Sequence, residues 1–226
     1  MAGAAIALGG LLFTLLSKIG YKVIGSFAFS IGLLLVCMFG FNLFTGKVGF
    51  FLEAENKKEY SLNLLIMYIG NFVGALVIGC LCYGFYSKSE SMVSSYTVFD
   101  AIVDIARARE ITSDNWWITL LGAIGCGMLV YTAVYAFKKE WPIGIRVVVL
   151  MFAVFAFVLA GFQHCIANMF YISFAMGWNG STLLNVLIVT IGNIIGAILL
   201  ELVSIAVKKL SNEENKKLSN EEKDHE

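Results

Sequence analysis

Long apolar runs separated by short polar turns divide the chain into six candidate membrane spans. A helix that crosses a bilayer needs about 20 apolar residues. The first run, residues 2–16, ends in the turn Ser17-Lys18-Ile19-Gly20-Tyr21-Lys22. The second, residues 23–52, is too long for one straight crossing, and its middle carries Gly40-Phe41-Asn42-Leu43-Phe44-Thr45-Gly46-Lys47, a pattern that breaks a helix. A charged loop over residues 53–60 leads to span three, residues 61–85, and residues 87–115 form the longest polar connection. Span four covers residues 116–137. Span five, residues 143–176, is again overlong and interrupted, by Gly161-Phe162-Gln163-His164-Cys165-Ile166-Ala167-Asn168-Met169-Phe170. Pro142 before it suits a first helical turn, where a missing N–H costs nothing. Span six is residues 181–207, and the charged tail 208–226 repeats Lys-Lys-Leu-Ser-Asn-Glu-Glu from Lys208 and from Lys216. Broken backbone at membrane depth survives only where protein buries it or a cavity hydrates it.

Composition agrees with this pattern. Hydrophobic residues make up 59% and charged residues 14% of the 226, with a mean hydropathy of +0.81. That balance excludes an ordinary soluble domain and predicts an all-α polytopic membrane protein, with membrane lipid as its surroundings. Sixteen basic residues offset sixteen acidic ones, so charge implies no nucleic-acid partner. Cys37, Cys80, Cys82, Cys126 and Cys165 all lie in apolar segments and read as packing residues, not as a disulfide framework. Cys80-x-Cys82 lacks a second ligand pair, so neither metal nor other cofactor is expected. Met1-Ala2-Gly3 enters apolar sequence without a basic stretch, so a cleavable signal peptide is not expected, and the short first span suggests an earlier natural start. Six spans put both termini on one side with Lys57, Lys58, Lys138, Lys139 and Arg146. Lys18, Lys22, Lys88, Arg107 and Arg109 fall on the other. The basic start of the tail tips the assignment to cytoplasmic termini in an inner, cytoplasmic membrane.

An internal repeat relates the halves, about 1–87 and 115–207, within a pore domain of residues 1–207. Leu62-Asn63-Leu64-Leu65-Ile66-Met67-Tyr68-Ile69-Gly70-Asn71-Phe72-Val73-Gly74-Ala75 recurs 122 residues later as Leu184-Asn185-Val186-Leu187-Ile188-Val189-Thr190-Ile191-Gly192-Asn193-Ile194-Ile195-Gly196-Ala197, with nine of fourteen positions identical. The two breaks are 121 residues apart. Three spans per half make the copies opposite in orientation, and inverted repeats with broken helices 2 and 5 are a transport architecture. The Gly-x-x-x-Gly spacings allow close helix contact. Asn71 and Asn193 are expected to bond across helices rather than to touch substrate.

The second break is the one place inside an apolar run where a ring nitrogen, an amide and a thiol cluster. Near the midplane such groups are expensive unless they face protein or water, so they are functional candidates. The plainer reading of His164 is a core histidine bonding a carbonyl. Leu43-Phe44-Thr45-Gly46 in the first break and the decapeptide in the second resemble the formate/nitrite transporter family, and the match extends over nearly all of residues 2–207. The resemblance implies a homopentamer of aquaporin-like protomers, each with its own pore passing small monovalent anions (hydrosulfide, formate, nitrite) or their conjugate acids. It implies His164 as the central pore histidine and Thr45 facing it, with Gln163 and Asn168 in the same polar set. It places Phe29, Leu33 and Phe157 at one apolar constriction and Leu43, Phe44 and Val130 at the other. The sequence departs from the family at Gln163, where formate- and nitrite-type members usually carry Glu, and at Gly127 after Cys126, where many have Asn. The family's lysine before span four has no clear counterpart; Arg109, Glu110 and Ile111 fall near it.

No charged side chain falls in the centre of any span, and Glu201 lies toward the end of span six. Conduction needs binding weak enough to let go, and one imidazole between apolar rings, helped by half-helix N-termini, suits a weak acid's anion. Desolvation there disfavours imidazolium, so a neutral ring is expected. Taken without the family, the aromatics read as core. An enzyme would need an orienting carboxylate beside His164 and Cys165, and none is near. A neutral-solute pore of aquaporin type would carry Asn-Pro-Ala turns, and neither break has Asn-Pro. A channel and a proton-coupled carrier both stay open, because anion with proton and neutral acid give the same net flux. Gln163-His164-Cys165-Ile166-Ala167-Asn168 looks like the hydrosulfide branch, and a neutral amide beside the histidine favours a soft, weakly hydrated anion such as HS⁻, with formate also passing.

Overall fold

The computed structural model describes residues 1–88 and 97–224, with side chains to residue 214. In chain order its helices are α1 (Ala2–Lys18), α2 (Lys22–Ala28), α3 (Ser30–Met38), α4 (Phe44–Lys47), a 3-10 segment (Val48–Glu53), α5 (Lys57–Tyr86), α6 (Val98–Arg107), α7 (Trp116–Phe137), α8 (Ile143–Leu159), α9 (Cys165–Phe174) and α10 (Gly180–Asp224). Among the described residues there is no strand. Three helices, α5, α7 and the apolar part of α10, are long and apolar enough to cross a bilayer, while α1, α2 with α3, α8 and α9 are shorter apolar helices.

Both overlong apolar runs break, and both break by the same chemistry. Gly40 and Gly161 take φ of 66° and 77°, a left-handed conformation that glycine adopts without a Cβ clash. Each ends its helix as a Schellman motif. Phe41 N–H bonds the carbonyl of Val36, and Phe162 N–H bonds that of Phe157, both at 2.9 Å. The chain then runs extended for a few residues and starts a new helix, at Phe44 in the first half and at Cys165 in the second.

Helices α7 and α10 lie side by side and in parallel, because residues of rising number meet residues of rising number. Gly192 adjoins Leu120 and Ala123, and Gly196 adjoins Ile124 and Met128; further on, Ser204 Oγ donates to Tyr135 Oη at 3.1 Å. Of the four repeat glycines, Gly74, Gly192 and Gly196 sit at such close contacts, whereas Gly70 meets nothing within 4 Å among the described residues. Tyr68 and Thr190, equivalent in the repeat, bond each other at 2.9 Å.

The structure departs from the sequence reading in two places. The connection over residues 87–115 is not all loop: it contains α6, opened by a capping box in which Asp100 N–H donates to Thr97 Oγ1 and Thr97 N–H to Asp100 Oδ2. Val98, Ala101, Ile102 and Ala106 are buried against the body of the protein; residues 89–96 of that connection lie outside the described residues. Pro142 is the extended cap before α8, not a residue of its first turn. Beyond the sixth span the tail continues α10 helically to Asp224, one of the states open to so charged a segment.

Candidate functional site

The two breaks meet. Leu43 and His164 are the extended residues preceding α4 and α9, with φ/ψ of −97°/125° and −107°/122°. One remote asparagine holds each break at both edges. Asn71 of α5 accepts from Phe44 N–H at 2.9 Å and donates to the Asn42 carbonyl at 2.9 Å. Asn193 of α10 accepts from Cys165 N–H at 3.0 Å and donates to the carbonyls of Gln163 at 3.0 Å and Ala123 at 2.8 Å. Without these side chains the broken backbone would leave buried donors and acceptors unmet, which costs about 1–3 kcal/mol each.

Thr45 Oγ1 lies 2.7 Å from His164 Nε2, and the two residues are 0% and 3% exposed. His164 Nδ1 accepts the N–H of Ala167 at 3.3 Å, so that nitrogen carries no proton. A neutral ring then holds its hydrogen on Nε2 and donates it to Thr45, which leaves the threonine O–H free as a donor. The Phe157 ring stacks beside His164 at 6.2 Å between centroids, and Phe29 meets Phe157 edge-on at 5.9 Å.

A cavity of about 330 Å³ opens on one side of this pair, and its lining includes His164, Asn168, Phe29 and Phe157 together with Lys22 and Arg109. Another, of about 100 Å³, is lined by Leu43, Val134, Cys37, Lys47 and Lys138. Leu33, Phe44 and Val130 are buried but line neither cavity; the Phe44 ring packs on Tyr68 at 4.9 Å. Gln163 is half-buried and turned toward other amides: its Oε1 accepts from Asn168 at 2.9 Å and from Asn185 at 3.1 Å.

Sequence reasoning passed over Asn185 and Val134 and gave Arg109 no role. Asn185 was visible only as one letter of the repeat. Val134 lies one helical turn beyond Val130. Arg109 follows α6, and its Cζ lies 5.9 Å from the Tyr171 ring while its Nε has no hydrogen-bond partner among the described residues. Burial pulls the guanidinium below its ordinary pKa, yet arginine stays charged at neutral pH. The signal that could have found it was a cation directly after a capped amphipathic segment.

The family model for formate/nitrite transporters matches residues 1–207. The chain belongs to the formate/nitrite transporter family. Among similar proteins, a formate-nitrite transporter of Entamoeba histolytica is 30% identical over 214 residues, covering 87% of this chain and 58% of that protein. A probable formate transporter of Methanothermobacter thermautotrophicus is 31% identical over 224 residues, covering 87% of this chain and 81% of that one. Among solved structures, a pentameric formate channel with formate bound aligns with a TM-score of 0.77 at 24% identity, covering 92% of this chain and 94% of that one. An ion channel of the same family also gives 0.77, at 21% identity, covering 92% and 87%. At these identities the two structures bear on the fold alone. The two relatives are named as transporters and the two structures as channels.

Proposed function

We propose that this chain is one protomer of a homopentameric channel in the inner, cytoplasmic membrane, with cytoplasmic termini and a pore of its own. Six spans form two inverted three-helix repeats in an aquaporin-like arrangement. The bond between the repeat-equivalent Tyr68 and Thr190 supports a two-fold relation between the halves, and the pentamer is the assembly named for the similar formate channel. The path runs from the larger cavity past Phe29, Leu33 and Phe157 to Thr45 and His164, then past Leu43, Phe44 and Val130 to the smaller cavity. Its cargo is a small monovalent anion or its conjugate acid.

The observation that carries this reading is the Thr45–His164 pair, buried where two breaks meet, with a mostly apolar cavity on the histidine side whose lining includes Lys22 and Arg109. Arg109 and Lys22 concentrate anions at the mouth. The phenylalanines strip hydration and reject larger or multivalent ions. At the centre the free Thr45 hydroxyl donates to the anion, and a proton entering through His164 lets the substrate leave as a neutral acid. No fixed charge at the centre traps the ion.

Hydrosulfide is the preferred substrate in this reading, with formate beside it, because Gln163 leaves the site less polarised than a carboxylate would. The second reading is a formate/nitrite channel or a proton-coupled monocarboxylate transporter, and the names of the two relatives, a formate-nitrite transporter and a probable formate transporter, favour its substrates over sulfide. Flux into proteoliposomes over formate, nitrite, lactate, acetate and hydrosulfide decides between them. Hydrosulfide flux at least equal to formate is expected; formate flux with no sulfide flux above empty liposomes moves the chain to the second reading. His164→Asn should assemble and lose the wild-type pH profile, and an unchanged profile would remove the histidine from the proton path.

A further inference from the structure

Three amides close a ring beside the pore histidine. Asn168 Nδ2 donates to Gln163 Oε1 at 2.9 Å and to Asn185 Oδ1 at 2.8 Å, and Asn185 Nδ2 donates to Gln163 Oε1 at 3.1 Å. The fourth contact is Gln163 Nε2 to Thr119 Oγ1, 3.5 Å away. Asn168 and Asn185 are 1% and 0% exposed. Asn168 stands one helical turn after His164 and lines the same cavity.

Holding the break does not require this ring. Asn193 already bonds both edges of the second break, and Asn71 holds the first without any such ring. In the first half the positions equivalent to Gln163, Asn168 and Asn185 are Asn42, Lys47 and Asn63; Asn42 and Asn63 are exposed and Lys47 lines the other cavity. The ring therefore belongs to one side of the pore, where the repeat gives it no structural duty.

The ring's hydrogen bonds can run in either direction. An amide turned by 180° keeps its shape and exchanges donor for acceptor. With all three turned, Gln163 Nε2 donates to Asn168 and Asn185, Asn185 Nδ2 donates to Asn168, and the Thr119 hydroxyl donates to Gln163 Oε1. Every bond survives. In the first direction Asn168 spends both N–H groups inside the ring, and its oxygen is left for the cavity. In the second, the oxygen is spent and the N–H groups are left.

We propose that Asn185 and Gln163 are specificity-determining positioning residues, holding Asn168 so that it offers an N–H to an anion or an oxygen to a protonated acid in the cavity before His164. The inference rests on the channel reading and deepens it: one site would accept both protonation states of the same weak acid. A carboxylate at position 163 can only accept. It would fix the first direction, with the Asn168 oxygen toward the cavity, and favour the acid over the anion.

The test is a double-mutant cycle in proteoliposomes, reading the ratio of flux above and below the substrate's own pKa for hydrosulfide and for formate. Gln163→Glu should lower the high-pH share of flux about tenfold, near 1.4 kcal/mol of lost discrimination. Asn185→Leu, close in shape, should change that share about three- to fivefold with the pentamer intact by size-exclusion chromatography. Made together, the two should fall short of the product of their separate effects, because the introduced carboxylate then has no ring to fix. Purely multiplicative effects would mean that the carboxylate acts by charge alone, and they overturn the inference, as does an Asn185→Leu channel with wild-type pH profile and anion ranking. Should Asn185→Leu fail to assemble, Asn185→Thr takes its place in the same cycle. Wild-type liposomes with no anion flux above empty ones would remove the channel reading itself, a different failure from unchanged discrimination in an active channel.

Discussion

Asn71 and Asn193 each satisfy backbone groups on both edges of a break, but not equally. Asn71 serves one N–H and one carbonyl, whereas Asn193 serves one N–H and two carbonyls, including that of Ala123 on a neighbouring helix. Replacing a residue that satisfies buried backbone costs about 1–3 kcal/mol per group left unpaired. Asn193→Ala also removes the tie from α10 to the Ala123 carbonyl of α7, so it is expected to lower thermal stability in detergent more than Asn71→Ala, and a reversed order in melting measurements would contradict this account. Arg109 acts at the same scale through charge. Arg109→Gln should reduce anion flux about three- to tenfold at low salt and less at high salt, since screening removes long-range attraction. A salt-independent loss measured in liposomes would point to packing against Tyr171 instead.

At the scale of elements, the parallel contact between α7 and α10 depends on glycine. A Cβ built at Gly196 would fall on the Ile124 carbonyl oxygen, far inside contact distance, so the helices would have to part. Overpacking of this kind costs about 1–3 kcal/mol. Gly196→Ala should destabilise the protein visibly in a detergent melt, whereas Gly84→Ala in α5, with nothing within 4 Å, should leave it unchanged or slightly more stable. Equal melting points for the two variants would show that the contact does not carry stability. The short helix α6 belongs to this scale too. It was legible in principle from Thr97-Val98-Phe99-Asp100, yet its apolar stripe is brief, and among residues 87–115 it is outnumbered by polar positions. Packing on α9 and α1 completes it, and hydrophobic burial of that kind leaves little trace in a local window.

Across the whole molecule, the end of the first broken segment is tied to the last helix. Lys208 Nζ lies 2.7 Å from Glu53 Oε1, and its hydrogen bond holds the Glu53 carboxyl below the usual carboxylate range. A folded-state pKa lowered in this way contributes stability above the unfolded value and loses it as pH falls through the folded one. Both side chains are over 40% exposed, so the pair is worth at most about 1 kcal/mol. Lys208→Ala should cost about 1 kcal/mol or less at pH 7, and its difference from wild type should vanish in acid as Glu53 protonates. A deficit that persists unchanged at low pH would show that the lysine acts through its alkyl stem. Apolar run lengths, the interrupted second and fifth runs and the 122-residue repeat were all determined by the sequence alone, because burial in lipid imposes a composition that local windows display. The helix breaks at Gly40 and Gly161 were equally legible, since a left-handed residue favours one side chain type. Only the tertiary structure decided that Asn185 closes a ring with Gln163 and Asn168, that its repeat partner Asn63 stays exposed, and that Arg109 shares a cavity with His164. Those facts depend on which helices meet across long stretches of chain, and side-chain polarity along a sequence carries no record of that distance in space.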